Sequence, residues 1–329
     1  MTSPSTSGDG SDVRHPLHAA PTPATRSDVV QPDRHGYAAG MAPAAPGSRV
    51  VLVTGASSGI GRECALRFAA LGDTVVGVAR HEPALRELAD EHPGIEVEVG
   101  DVTDAETRVE LVGRVLLRHG RIDVLVNNAG VGPIGYLHEL TAEDVERVYG
   151  TNVVAVADLT RLVLPDMRQR GDGAIVMISS VAAWASVPPA TTYSSSKFAV
   201  DGLVEGLRRE TWGTGVQVHS INPGPISTNY LARSADRSPQ PGDPPRPSAP
   251  GFPPSWVADA VVDAAASRHP VTRAVPRIAG LVRLAQVPPV GAVLDLVFGR
   301  FGGFFTERVK GLMAEQAKGV EEKDSSTRS

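Results

Sequence analysis

A chain of 329 residues, 41% of them hydrophobic and with a formal charge of −5, is long enough to bury a sizeable core as one large or two small domains. Its mild acidity excludes the basic stripe that non-specific nucleic-acid binding needs, so no nucleic-acid partner is expected. The single cysteine, Cys64, excludes a disulfide within the chain, and the nine histidines show no ligand spacing such as H-E-x-x-H, so no metal is implied.

Residues 1–48 are rich in Ser, Thr, Pro, Ala and Gly and show no hydrophobic period; they are expected to form a disordered tail. The start lacks the charged segment and apolar run of a signal peptide, so a cytoplasmic location is expected. The first strand is Val50 to Val53, an apolar run leading into the turn TGASSGIG and a helix-like stretch from Arg62 to Leu71. Gly55, Gly59 and Gly61 allow backbone to approach a pyrophosphate closely, and free N–H groups at a helix start favour the anion. Gly55, Ser57, Ser58, Gly59, Ile60 and Gly61 are therefore candidate dinucleotide-binding residues. Cys64 lies on the apolar face of that helix and reads as core.

A second apolar run, Thr74 to Ala79, ends in Arg80. At this distance past the glycine turn a carboxylate would accept the ribose 2′-hydroxyl of NAD. Arg80 instead offers a guanidinium suited to a 2′-phosphate, so NADP is expected in preference to NAD. The rival reading is that Arg80 caps a surface loop, with Glu82 nearby. A helix-like run from Pro83 to Glu91 and a strand from Ile95 to Val99 lead to Asp101-Val102. Asp101 is placed to meet the adenine edge, although Asp101 or Asp104 also suits a helix N-cap. A helix from Glu106 to His119 precedes the strand Val124 to Val126 and the tetrad Asn127-Asn128-Ala129-Gly130. The alternation of strands and helices implies a doubly wound α/β fold with a parallel, Rossmann-type sheet of about seven strands.

Thr141 to Met167 is long enough for one extended helix with Asn152 in its middle, an unfavourable place for asparagine. The strand Ala174 to Ile178 leads to Ser179-Ser180, and Tyr193-Ser194-Ser195-Ser196-Lys197 opens a helix running to about Trp212. Tyr193 and Lys197 share one face of it. The strand Val216 to Ile221 ends in NPGPIST. Proline-rich residues 229–255 suggest a mobile substrate lid, with Trp184, Pro188, Tyr136 and Tyr230 as candidate pocket walls. A helix from Trp256 to Ser267 and a strand from Val271 to Val275 complete the domain at 49–276. The remainder, 277–329, is an apolar, basic extension with a frayed end. Pro288-Pro289 and Asp295 interrupt its apolar stretch, so it offers no membrane span. It reads as helices covering the pocket or a subunit contact, as a membrane-surface anchor, or as a channel for a lipid-like substrate.

Taken together, TGASSGIG at 54–61, Asp101, NNAG at 127–130, Asn152, Ser180, YSSSK at 193–197 and PGPIST at 223–228 resemble the short-chain dehydrogenase/reductase family in its single-domain form, over about Val50 to Thr228. The resemblance implies that Tyr193 is the general acid or base for a carbonyl or secondary alcohol. It makes Lys197 the cation that favours the phenolate and holds the nicotinamide ribose, and Ser180 the donor to the substrate oxygen. Ser179 is the nearest alternative to Ser180. Asn152 would bind a water that relays protons from the lysine. Asp101, Val102, Asn128, Ala129 and Gly130 would border the cofactor, while Asn127 ties adjacent strands. Pro223, Gly224, Ile226 and Thr228 would approach the nicotinamide. The implied activity is NADP-linked oxidoreduction of a small molecule, with hydrophobic carbonyls and alcohols among the candidates. The alternatives are a non-catalytic cofactor-binding sensor or scaffold, and a dehydratase or epimerase. A homo-oligomer is implied, formed through the two long helices.

Overall fold

The computed structural model describes residues 49–133, 135–186, 188–228, 251–293, 296 and 297. The expected tail at 1–48, Tyr230 with most of the lid (229–250), and the frayed end lie outside the described residues. Seven strands form one parallel sheet: β1 (Val50–Thr54), β2 (Thr74–Ala79), β3 (Ile95–Val99), β4 (Val124–Asn127), β5 (Gly173–Ile178), β6 (Val216–Pro223) and β7 (Thr272–Val275). Their order is β3-β2-β1-β4-β5-β6-β7. The winding reverses between β1 and β4, where doubly wound sheets open a crevice at the carboxyl ends of their strands.

The helices are α1 (Gly59–Ala70), α2 (Glu82–Glu91), α3 (Ala105–His119), α4 (Ala142–Tyr149), α5 (Ala155–Arg170), α6 (Thr191–Glu210) and α7 (Pro254–Ala265). Successive side chains of a strand point to opposite faces, and β1 shows how this sorts the core. Val51 and Val53 join Phe68, Leu85, Leu88 and Val261 under α1, α2 and α7. Val50 and Leu52 join Leu111, Val115, Leu159 and Val204 under α3, α5 and α6. Each fully buried aliphatic or aromatic side chain contributes about 1.5–3 kcal/mol. Cys64 is fully buried in the first layer, as its apolar face suggested, and burial pushes its thiol pKa up.

Two expectations need correction. The single helix expected over 141–167 is two helices joined by a π turn, Gly150–Val154, closed by a bond from the Ala155 N–H to the Gly150 carbonyl. The bulge is favoured because it carries Asn152 inward, where it is fully buried and hydrogen-bonded to another part of the chain. β6 continues past Ile221 to Pro223; the proline lacks an N–H, and the Gly224 N–H bonds the Val275 carbonyl at 2.8 Å. The extension begins as a 3-10 helix, Arg277–Gln286. No helix among the described residues is long and apolar enough to cross a membrane.

His219, on β6, is fully buried; its Nδ1 accepts from the Val271 N–H at 3.3 Å, and its Nε2 has no hydrogen-bond partner among the described residues. Burial, helped by the nearby Arg208 charge, pushes its pKa down from 6.5 to about 4. The folded state therefore binds fewer protons than the unfolded state between these values. Stability is full above pH 6.5 and falls by about 3 kcal/mol as pH drops to 4. Denaturant unfolding across pH 4–7 should show this slope in the native protein and lose it in His219→Gln.

Candidate active site

The glycine turn after β1 is held from beneath by β4. The Thr54 hydroxyl accepts from the Asn128 and Ala129 N–H groups at 3.0 and 2.9 Å. Asn128 Nδ2 donates to the Thr54 and Gly55 carbonyls at 2.8 and 3.3 Å. The Asn128 amide thus buttresses the turn and meets any ligand through it. Gly55 and Gly59 have φ of +68° and +56°, a left-handed conformation that favours glycine. A Cβ on Gly61 would overlap the Gly55 carbonyl oxygen and sit 2.5 Å from Asn128 Nδ2; one on Gly59 would come 3.1 Å from Thr228 Cγ2. The turn after β1 and the loop after β6 therefore face each other across a cradle with no room for side chains. Ser58 is the N-cap of α1, so the N-terminal N–H groups of that helix open into the cradle, while the Ile60 side chain packs on the core. This fits a dinucleotide phosphate.

Past the end of β2 Arg80 is exposed, with Nη1 3.5 Å from Asp101 Oδ2. Asp104, not Asp101, caps α3, its Oδ2 accepting from the Thr107 N–H at 2.7 Å. Asp101 Oδ1 instead accepts from the Thr103 N–H and hydroxyl at 2.9 and 2.8 Å, which pins its carboxylate past the end of β3. Val102 is buried, and buried Arg108 holds its carbonyl at 2.8 Å while pairing with Asp158 at 2.7 Å.

At the other end of the crevice α6 brings Tyr193 and Lys197 onto one face. Lys197 is 5% exposed. Its Nζ donates to the Ile178 carbonyl at 2.9 Å and lies 5.7 Å from the centre of the Tyr193 ring. Burial pulls its pKa down from 10.5 to about 8, opposed by the negative charge of Asp201. A Cβ on Gly130 would come 3.3 Å from Asn152 Oδ1 and 3.7 Å from Lys197 Nζ, so Gly130, Asn152 and Lys197 converge. Asn152 exchanges two bonds with the Val131 backbone, N–H to Oδ1 at 2.9 Å and Nδ2 to carbonyl at 2.8 Å. Its Nδ2 also donates to Ser196 Oγ at 2.9 Å, which locks the β4 loop to the helix of Tyr193.

Ser179 and Ser180 separate clearly. Ser179 Oγ lies 3.4 Å from the Lys197 carbonyl, against the α6 backbone. Ser180 caps the 3-10 turn Val181–Ala183, accepting from the Ala182 N–H at 3.1 Å, with its hydroxyl 3.4 Å from the Pro223 carbonyl. At the end of β6 Pro223 pairs with Val275, and beyond it Ile226 bridges Phe252, the Ser227 N–H bonding the Phe252 carbonyl at 2.8 Å. Residues 226–227 and 252 are thereby tied together.

Asp201 escaped the sequence reading. Its carboxylate accepts from Trp184 Nε1 at 3.0 Å, lies 3.0 Å from the Ser220 hydroxyl, and meets Asn222 Nδ2, which also donates to the Ser180 carbonyl at 3.2 Å. These four residues clamp the Ser180 loop to α6. No local spacing signals it, because its partners lie on two other elements, the 3-10 turn that ends at Trp184 and β6. Trp184 is buried and its ring lines an open cleft with Thr272 and Arg283, and Tyr136 caps a short 3-10 turn and stacks on His138. Asn127 is paired with Met177 across β4 and β5, and its Nδ2 donates to Thr160 Oγ1 of α5 at 3.1 Å.

The short chain dehydrogenase family profile matches residues 49–238, more than half of the chain. A short chain dehydrogenase of Pseudocercospora fijiensis is 39% identical over 194 residues, 56% of this chain and 62% of that protein. The 3-oxoacyl-[acyl-carrier-protein] reductase FabG of Thermotoga maritima is 34% identical over 194 residues, 58% of this chain and 79% of that one. Among solved structures, a short-chain dehydrogenase from Streptomyces avermitilis superposes with a TM-score of 0.66 at 32% identity, covering 78% of this chain and 98% of the other. With the seven-stranded parallel sheet and the glycine turn in place, the chain belongs to the short chain dehydrogenase family.

Proposed function

We propose that the protein is a nicotinamide-dependent oxidoreductase that prefers NADP and interconverts a carbonyl and a secondary alcohol, with Tyr193 as general acid or base. The observation that carries this reading is the buried Lys197 ammonium beside the Tyr193 ring, bonded to a neutral carbonyl. An ammonium buried at such cost needs a task, and a cation beside a phenol favours the phenolate that abstracts an alcohol proton near neutrality. When bound, the nicotinamide would supply or accept the hydride. Ser180 would donate to the substrate oxygen, where charge develops. Lys197 would reprotonate Tyr193, and Asn152, with one Oδ1 lone pair left, would hold the relay water. Gly55, Ser57, Ser58, Gly59, Ile60 and Gly61 would line the diphosphate with Thr228. Ala129 and Gly130 would wall the ribose, Asp101 and Val102 the adenine, and Pro223, Gly224 and Ile226 the nicotinamide. The exposed Tyr149, Val154 and Phe198 on the α4–α6 side support self-association there.

Similar solved structures are described with NADP in two cases and with NAD in another, so the preference rests on Arg80. Titration with NADPH and NADH, followed by turnover on ketones, aldehydes and hydrophobic alcohols, tests the reading. A charge-assisted bond to the 2′-phosphate is worth about 1.5–3 kcal/mol. Arg80→Ala should therefore weaken NADPH about 10- to 100-fold and leave NADH unchanged; an unaltered ratio would refute the NADP assignment. Asp201→Asn removes the charge that supports the Lys197 proton. The alkaline limb of turnover should then move below about pH 8, and an unmoved limb would reduce Asp201 to a structural clamp.

A further inference from the structure

We propose that the surface built by the 3-10 helix Arg277–Gln286 and the residues after it docks on an anionic lipid bilayer. In a 3-10 helix, side chains three apart lie above one another, and this period sorts the segment into three faces. Ala279 and Val282 pack inward against Trp184 and Ala183. Arg277, Gly280 and Arg283 line an open cleft of about 390 Å³ beside Trp184, with the Arg283 guanidinium 5.6 Å from the indole ring. Ile278, Leu281 and Leu284 point outward at 72%, 63% and 53% exposure, and the apolar surface continues through Val287, Val290 and Val293. Of the nineteen conspicuously exposed large apolar side chains among the described residues, eight fall between Ile278 and Val297. Such a concentration marks an interaction site, since scattered exposed apolar residues are normal but a contiguous stripe is not.

Charge selects the occupant. Between Asp263 and Asp295 the sequence carries Arg268, Arg273, Arg277 and Arg283 and no acid, in a chain whose net charge is −5. Arg273 is neutralised by Asp263 at 2.9 Å, whereas Arg277 and Arg283 form no ion pair among the described residues. An apolar stripe edged by unpaired guanidiniums, on a rod about 20 Å long, matches acyl chains edged by headgroup phosphates. A second copy matches less well: a two-fold contact sets the same patch against itself, bringing Arg277 and Arg283 of both copies together without an acid between them.

The test is sedimentation of the full chain with vesicles of phosphatidylcholine alone and of phosphatidylcholine with phosphatidylglycerol. The expected result is binding to the anionic vesicles only, weakening as salt screens the charges. The double variant Arg277→Glu/Arg283→Glu should lose at least about tenfold in partitioning, given about fivefold per basic residue near such a surface. Leu281→Ser/Leu284→Ser should lose binding also, with melting temperatures unchanged because these side chains are exposed. Equal binding to both vesicles, binding to neither, or binding indifferent to charge reversal would overturn the proposal. An oligomer broken by the leucine variants, without vesicle binding, would make the stripe a contact between copies.

Discussion

Tyr193→Phe will bind NADPH within a few-fold of the native protein and turn over substrate about a thousandfold more slowly. The ring that lies beside Lys197 is retained, so the cofactor side of the crevice is undisturbed. What is lost is the hydroxyl proton, and positioned acid–base groups contribute about 10²–10⁴ in rate. Lys197→Met tests the same chemistry from the other side. It should depress turnover comparably and also change stability in a defined direction. The folded pKa of Lys197 is lowered from 10.5 to about 8. Below pH 8 the ammonium is charged in both states, and its burial costs about 3 kcal/mol. Between pH 8 and 10.5 the unfolded chain binds more protons, so stability rises with pH. Thermal melts over that window should show the rise in the native protein and not in Lys197→Met. A Tyr193→Phe protein that keeps native turnover would end the acid–base assignment, and the cofactor-binding sensor would then be the better reading.

Gly61→Ala is expected to cost more than any other single methyl added to the crevice. The new Cβ would overlap the Gly55 carbonyl and press on Asn128 Nδ2 at 2.5 Å. Neither can yield cheaply: one is backbone, and the other is anchored to Thr54 at 2.8 Å. Overpacking of this kind costs about 1–3 kcal/mol, and relief would come by displacing the turn that lines the cradle. Loss of NADPH affinity should therefore accompany the loss of stability. Gly113→Ala, in α3, is the control, since nothing lies within 4 Å of the position its added methyl would take. It should be neutral or gain about 0.5–1 kcal/mol through helix propensity. Denaturant unfolding and cofactor titration of the two variants separate a cradle from an ordinary tight turn. A Gly61→Ala protein that melts and binds NADPH like the native one would exclude the cradle.

What the sequence alone determined is what local pattern encodes. The short apolar runs at β1, β2, β4 and β5 could only be buried parallel strands once helices alternated with them. The glycine turn announced a close backbone approach, and Tyr193 and Lys197, four apart, had to share a helix face. Tertiary structure decided whatever depends on partners distant in the chain. Asn152 is unfavourable in a helix by propensity, and only Val131 and Ser196, 21 and 44 residues away, make its π turn worthwhile. Ser179 and Ser180 meet different partners, the Lys197 carbonyl on α6 and the Pro223 carbonyl on β6, and only the packing of those elements assigns them. The Asp201 clamp joins Trp184, Ser220 and Asn222 across three elements. Residues 277–286 resisted reading for a different reason: their period is three, which neither an α-helix nor a strand shares, and only packing of Ala279 and Val282 against Trp184 selects it. Periodicity reports which face is apolar; the free energy that settles a bulge, a clamp or a 3-10 rod comes from contacts the periodicity does not contain.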